Sequence, residues 1–213
     1  ISHDIKTPLT SIMGYAERLN KGNLSAERMK RYTETIYDKS MVIKELIDEF
    51  DHYLNYNLGS SLHKKKMSVK QLEEHLRQDY ELELSEIGVE FKVENMCQDE
   101  LLEIDYGKIR RVFGNIIDNS IKHMKESTIK RIQIKIQSQA KGVLISIADT
   151  GCGVKETELE QIFKPLYTSD QSRKVAGLGL SICQSIIGAH GGRIWATNGR
   201  ESGLVIHFTL NKS

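Results

Sequence analysis

The sequence predicts an α+β chain, an N-terminal antiparallel two-helix hairpin followed by an α/β sandwich. Three observations lead there. Residues 1 to about 58 contain only helical signals, their apolar residues falling mostly at spacings of three and four, the period of a helix. From Met67 onward, helical stretches alternate with stretches of period two. Between them, Asn57-Leu58-Gly59-Ser60-Ser61 followed by Leu62-His63-Lys64-Lys65-Lys66 reads as a linker, its lysines a solvated face or a strand edge. The expected division is 1–58, a linker over 59–66, and 67–213.

A first helix runs through Ile5, Leu9, Ile12 and Leu19 and breaks at Asn20-Lys21-Gly22-Asn23. Ser25 suits an N-cap, and Glu27 places negative charge in the first turn of the second helix. That helix carries Met29, Tyr32, Ile36, Ile43, Leu46, Ile47, Phe50, Tyr53 and Leu54. The hairpin is too thin to own a core, so its stripes need a cover: a second copy completing a four-helix bundle, or the rest of this chain. Ser68 to about Leu84 follows as an amphipathic helix through Val69, Leu72, Leu76 and Tyr80. Val89-Phe91-Val93 alternates as a strand, Leu101–Ile104 forms another, and Tyr106–Met124 is a helix. Ile132-Ile134-Ile136 and Val143-Ile145-Ile147 are strands joined by a turn near Lys141-Gly142. Lys155–Phe163 and Leu178–His190 read as helices, and Ile194–Thr197 with Leu204–Leu210 as a hairpin through Asn198-Gly199. Hairpin-joined strands mixed with helices imply a mixed sheet covered on one face.

Composition narrows the function. Thirty Lys and Arg against 29 Asp and Glu leave a net charge of +1, which argues against non-specific nucleic-acid binding. Cys97, Cys152 and Cys183 are odd in number and form no C-x-x-C pair, which favours a reducing compartment and disfavours zinc. No apolar run approaches the ~20 residues that span a bilayer. With neither an initiator methionine nor a signal sequence, the chain reads as a cytoplasmic piece of a longer protein, any membrane anchor lying upstream.

The opening, Ile1-Ser2-His3-Asp4-Ile5-Lys6-Thr7-Pro8-Leu9, is the most informative stretch. On a helix His3 and Thr7 stand one turn apart on the same face. Asp4 can orient an imidazole or take its proton, as a nucleophilic histidine requires. Pro8 crowds the carbonyl of Asp4 and loosens the helix, a cost of roughly 3 kcal/mol in a helix interior. By itself the stretch also suits a surface His-Asp pair near a helix start.

Four further features point to a nucleotide. Asn115, Asn119 and Lys122 share one helical face, neutral oxygens and a point charge suited to a magnesium triphosphate. Asp149-Thr150-Gly151-Cys152-Gly153 ends a strand with a carboxylate that can accept from an amino group, and with glycines that let a flat ring approach the backbone. Residues 164–176 form a polar loop of lid length. Gly177-Leu178-Gly179-Leu180 opens a helix, where free N–H groups favour phosphate. Each feature is weak alone, and their order is the signal.

Taken together, these motifs resemble the catalytic core of bacterial two-component sensor histidine kinases along essentially the whole chain. His3-Asp4-x-x-Thr7-Pro8 looks like the H box. Asp105-x-x-Lys108-Ile109-x-x-Val112-Phe113-x-Asn115-x-x-x-Asn119-x-x-Lys122 looks like the N box. Asp149-x-Gly151-x-Gly153 resembles the first glycine box, Ile162-Phe163-x-Pro165-Leu166-Tyr167 the F box, and Gly177-Leu178-Gly179-Leu180 the second glycine box.

The resemblance implies a dimerising phosphoacceptor hairpin joined to an ATP-binding sandwich of the type shared by gyrase, Hsp90 and histidine kinases. It implies that His3 attacks the γ-phosphate of ATP with Asp4 as base, and that Asn115 ligates Mg2+ with Asn119 and Lys122 near the phosphates. Asp149 would bind the adenine amino group, with Gly151, Gly153, Tyr167, Leu178 and Gly179 around the nucleotide. His123 stands where relatives often face the nucleotide, a packing role being the other option. Phosphate would then pass to an aspartate of a response regulator, and Thr7 would help remove it. The implied partners are a second copy and that regulator, without nucleic acid. The full-length protein is expected in the bacterial cell membrane. An ATP-binding dimeric scaffold, or a net phosphatase with little autokinase activity, is the competing expectation.

The sequence departs from the family pattern at three places. Lys174-Val175-Ala176 precede Gly177 where relatives often have glycines, so a stiffer lid hinge is expected. Thr168 stands where many have an arginine, leaving Arg173, Lys174 or no residue to supply that charge. Cys152 occupies the middle of the adenine loop, where tolerated packing is expected.

Overall fold

The computed structural model describes residues 2–57, 61–97, 100–165, 167, 178–199 and 202–212, with the side chains at 2–4, 45–46 and 48–57 left aside. Two helices, α1 (Ser2–Asn20) and α2 (Ala26–Asn57), make the N-terminal hairpin. The chain reverses where the sequence predicts, with Gly22 at φ 71° and Asn23 at φ 59°. Gly and Asn tolerate that left-handed backbone better than other residues. Ser25 caps α2, its hydroxyl accepting from the N–H of Arg28 at 3.3 Å. Helix α1 runs unbroken through Pro8, which is buried. Tyr15 packs on Tyr32 across the hairpin, with ring centroids 5.0 Å apart.

The C-terminal half begins earlier than the hydrophobic pattern suggests. β1 (Lys65–Ser68) takes up part of the expected linker and pairs antiparallel with β3 (Leu101–Ile104). Ser68 then caps α3 (Val69–Glu86) in a capping box, its hydroxyl accepting from Gln71 N–H while the Gln71 side-chain oxygen accepts from Ser68 N–H. The main sheet has five strands in the order β2-β4-β5-β7-β6. β2 (Glu90–Asn95) lies parallel to β4 (Arg131–Gln139), and β5 (Gly142–Asp149), β7 (Leu204–Asn211) and β6 (Ile194–Asn198) follow antiparallel.

On one face Ile132, Ile134, Ile136, Val143, Ile145, Ile147, Ile206, Phe208 and Leu210 are buried at alternate positions. They meet the apolar stripes of α3, α4 (Tyr106–His123) and α5 (Gly179–Ala189). Phe113 of α4 stands edge-on to Phe208, 5.6 Å between centroids, a pair contributing about 0.5–1.5 kcal/mol beyond its buried area. On the opposite face His207 stacks on Trp195, with Ser146 Oγ and Thr197 Oγ1 at 2.8 and 2.9 Å from its two ring nitrogens.

A further expectation is corrected. Residues 155–163 are not a helix but two 3₁₀ turns, Glu156–Glu158 and Gln161–Phe163. The segment is too short to be helical on its own account. It is bent instead by its attachments, Ile162 and Phe163 sinking into the core beside α5. The β6–β7 hairpin passes through Asn198-Gly199 as expected, Gly199 N–H donating to the carbonyl of Gly203 at 2.9 Å. As to the cover for the hairpin helices, α2 also touches α5 of the C-terminal half.

Candidate functional site

Helix α4 supplies one wall. Asp105 caps it, its Oδ1 accepting from Lys108 N–H at 3.3 Å and its Oδ2 from His63 N–H at 3.0 Å. Ile109, Val112, Phe113, Ile116 and Ile117 drive one face into the core. That register turns Asn115 and Asn119 to half-buried positions and leaves Lys122 exposed. The second wall is the start of α5, tied to the first by two contacts. Asn115 Nδ2 donates to the carbonyl of Gly179 at 3.1 Å, and Cys183 Sγ donates to the carbonyl of Val112 at 3.7 Å. Burial pushes the Cys183 thiol up to about 12, so it stays protonated. Leu178, 1% exposed, is packed rather than open, and its carbonyl accepts from Ser181 Oγ at 2.8 Å.

Asp149 forms the floor. Its Oδ1 accepts from Gly151 N–H at 2.8 Å and Leu204 N–H at 3.1 Å, and its Oδ2 from the Ser120 hydroxyl at 2.9 Å. The residue is 8% exposed. A carboxylate so held cannot swing away, and Oδ2, with a single donor, keeps a lone pair for another. The surrounding glycines are required by space. A Cβ on Gly203, at φ 82°, would overlap the Asp149 carbonyl, and one on Gly153, at φ 65°, would sit 2.9 Å from Asn198 Oδ1. Asn198 binds the loop from both sides, accepting from Val154 N–H at 3.1 Å and donating to its carbonyl at 2.8 Å. His123 joins the same loop, with Nδ1 4.0 Å from Cys152 Sγ.

The fold thus brings Asn115 to Gly179, and Asp149 to Gly151, with His123 at the edge of the Gly151–Gly153 turn. Asn119 and Lys122 lie between these points on α4. Tyr167 is turned toward Glu158: burial, then the charge and hydrogen bond of that carboxylate, raise its phenol. Arg173 and Gly177 lie outside the described residues, as do Thr168 and Lys174-Val175-Ala176. His3, Asp4 and Thr7 lie apart, on α1, with Thr7 exposed. Ser120 and Asn198 escaped the sequence reading. A single serine on the buried stripe of α4 was the available sign of Ser120, since a buried hydroxyl needs a partner. Asn198 carried no sign beyond its turn.

No three of His, Cys, Asp and Glu gather as a metal cluster among the described residues. A divalent ion here would have Asn115 Oδ1 as its protein oxygen, the amide nitrogen being committed to Gly179. That suits magnesium, which keeps waters and takes its remaining oxygens from phosphates.

Fold and site define a nucleotide-binding α/β module carried behind a helical hairpin. Comparison with known proteins agrees. Residues 104–213 match the family of histidine kinase-, DNA gyrase B- and HSP90-like ATPases, and residues 1–53 match the His Kinase A phospho-acceptor domain. The chain belongs to the two-component histidine kinases, as their catalytic core, with an ATP-binding domain. It is 32% identical to the sensor protein VanS of Enterococcus faecium over 203 residues, covering 92% of this chain and 52% of VanS. It is 28% identical to the sensor histidine kinase WalK of Bacillus subtilis, covering 99% of this chain and 35% of WalK. Among solved structures, histidine kinase ThkA in complex with the response regulator TrrA matches at TM-score 0.77 and 27% identity, covering all of this chain and 60% of that one. The chain therefore spans about half or less of the curated relatives it matches. No helix among the described residues is long and apolar enough to cross a membrane.

Proposed function

We propose that this chain binds magnesium-ATP in the catalytic half, moves its γ-phosphoryl group to His3, and passes it to an aspartate of a response regulator. Asp149 accepts from the adenine amino group, and Gly151 and Gly153 let the ring lie against backbone. His123 and Tyr167 border it. Asn119 and Lys122 face the phosphates, Leu178 and Gly179 place the N-terminus of α5 beside them, and the family resemblance adds Arg173 and Gly177 to the set. Magnesium, held by Asn115 Oδ1, supplies charge that offsets the phosphates. The His3 imidazole forms a bond to the γ-phosphorus as the bond to the bridging oxygen breaks; Asp4 takes the imidazole proton, and ADP leaves. Two copies pair through the hairpins, residues 1–58, with 67–213 as the catalytic unit.

One observation carries the reading: Asp149, buried and held by three donors, has an acceptor left over beside a helix wall that presents Asn115. Incubating the protein with γ-labelled ATP and magnesium tests it. The expected product is an acid-labile, base-stable phosphoprotein that His3→Gln abolishes while nucleotide affinity stays nearly intact. Label that survives His3→Gln places the acceptor elsewhere. A second activity, dephosphorylation of the regulator, is favoured by the exposure of Thr7 one turn beyond His3.

A further inference from the structure

The two edges of the main sheet are built differently. At the β2 edge Glu90, Lys92 and Glu94 alternate and are exposed, and they pair with Arg131, Gln133 and Lys135 of β4. Charges spaced this way keep a foreign strand from adding. The β6 edge has no such guard: Ile194-Trp195-Ala196-Thr197-Asn198 contains no charge.

The ladder also leaves that edge able to bond. The carbonyl of Arg193 accepts from Thr209 N–H at 2.9 Å, and Gly199 N–H donates to Gly203 at 2.9 Å, so odd-numbered residues face β7. Antiparallel pairing alternates, so the N–H and C=O groups of Ile194 and Ala196 point the other way. No described strand pairs with them. They open instead on a groove of about 850 Å³, walled by Glu156, Leu159 and Phe163 of the 3₁₀ segment, by Gly188 of α5, and by Arg193 and Trp195.

Four charged residues line the groove, Glu156, Glu160, Lys164 and Arg193, and of these Glu156 and Arg193 are the ones tied to the two ends of β6. Asn198 is tied to Val154, two residues before Glu156, so an exposed carboxylate stands at that end. Arg193 stands at the other, its guanidinium 5.5 Å from the Trp195 ring centre.

We propose that the β6 groove takes an extended segment of a partner protein as a sixth, antiparallel strand, cationic at its N-terminal end against Glu156 and anionic at its C-terminal end against Arg193. Backbone bonds to Ile194 and Ala196 provide the attachment and the two charges set direction. The site is separate from every residue assigned to nucleotide or phosphate, so it stands or falls apart from the phosphotransfer reading.

The probe is the peptide acetyl-Lys-Thr-Val-Thr-Val-Thr-Glu-amide at millimolar concentration, with amide exchange of the protein followed by NMR. Exchange at Ile194 and Ala196 should slow roughly tenfold, while the β2 edge stays unchanged. The peptide with Lys and Glu exchanged should bind several-fold more weakly, and Arg193→Glu should reverse that preference. Ala196→Pro removes an outward N–H at an edge position that tolerates proline, so it should abolish the protection and leave autophosphorylation unchanged. Absence of protection, or a preference that ignores charge order, overturns the proposal. So does protection that appears without peptide as protein concentration rises, which would make the occupant a second copy.

Discussion

Asp149 and Ser120 act as a unit. Replacing Ser120 with alanine removes one of the three donors and leaves the carboxylate to Gly151 and Leu204. Lost buried hydrogen bonds of this kind cost about 1–3 kcal/mol. Ser120→Ala is therefore expected to weaken ATP binding by roughly tenfold, measured by calorimetry. Asp149→Asn should weaken it further, because an amide must turn its nitrogen toward one set of donors. Equal affinities across the three proteins would remove Asp149 from adenine recognition. Thr7 makes a different case. Thr7→Ala removes a hydroxyl but no charge, and alanine is the best helix former, so α1 should persist. The expected result is nearly normal autophosphorylation with most regulator dephosphorylation lost, both rates being measured with the cognate regulator. A parallel fall in both would make Thr7 a support for the helix around Pro8. The motif residues Asn115 and Asp149 were legible because their chemistry is unusual for their positions. Ser120 and Asn198 were not, because a hydroxyl or an amide shows its worth only when its partner, 29 or 44 residues away, is in place.

At the scale of elements, α4 and α5 run antiparallel, and α5 is pinned to α4 near both of its own ends. Asn115 to Gly179 is one pin, and His190 is the other. Its Nδ1 lies 2.8 Å from the carbonyl of Ile186, and its Nε2 accepts from Asp105 N–H at 3.0 Å. Burial, aided by the charge of Lys64, lowers the affinity of this imidazole for a proton, and the bond to Ile186 only partly offsets that. Burial lowers His207 in the same direction. The unfolded chain takes up these protons near pH ~6.5, whereas the folded protein resists until lower pH. Their contribution is thus complete above pH ~6.5 and is lost as pH falls from there toward the folded values. The urea midpoint should fall between pH 7.5 and pH 5.5; His190→Gln should flatten the slope, and adding His207→Gln should flatten it further. The long helices and alternating strands could be read from periodicity because each buries one continuous face. β1 and residues 155–163 could not. Lys65 and Lys66 show no alternation and become strand only against β3, while Leu159, Ile162 and Phe163 mimic helical spacing in a segment that its neighbours bend.

The whole molecule has an unfinished surface. Leu9, Met13, Met29, Tyr37 and Ile47 are 44–66% exposed on the hairpin, more apolar area than two helices leave open without cause. A second hairpin would cover it. Met13→Glu combined with Met29→Glu is expected to convert a dimer to a monomer in sedimentation, leaving ATP affinity intact. A dimer that survives both changes would move the contact off this stripe.

The sheet order carries one more consequence, for synthesis. Strands emerge from the ribosome in chain order, yet β7 lies between β5 and β6, and the N–H of Leu204 is one of the bonds holding Asp149. Until β7 arrives, β6 has no partner, the Asp149 carboxylate lacks a donor and Phe113 lacks Phe208. A nascent chain that stops at Asn198 already contains Asn115, Asp149 and Gly179 but cannot bring them to a finished floor. Nucleotide therefore cannot reward a partial product: ATP capture begins only when the last strand slides into the middle of the sheet, and ribosome-stalled chains ending at Asn198 should retain none.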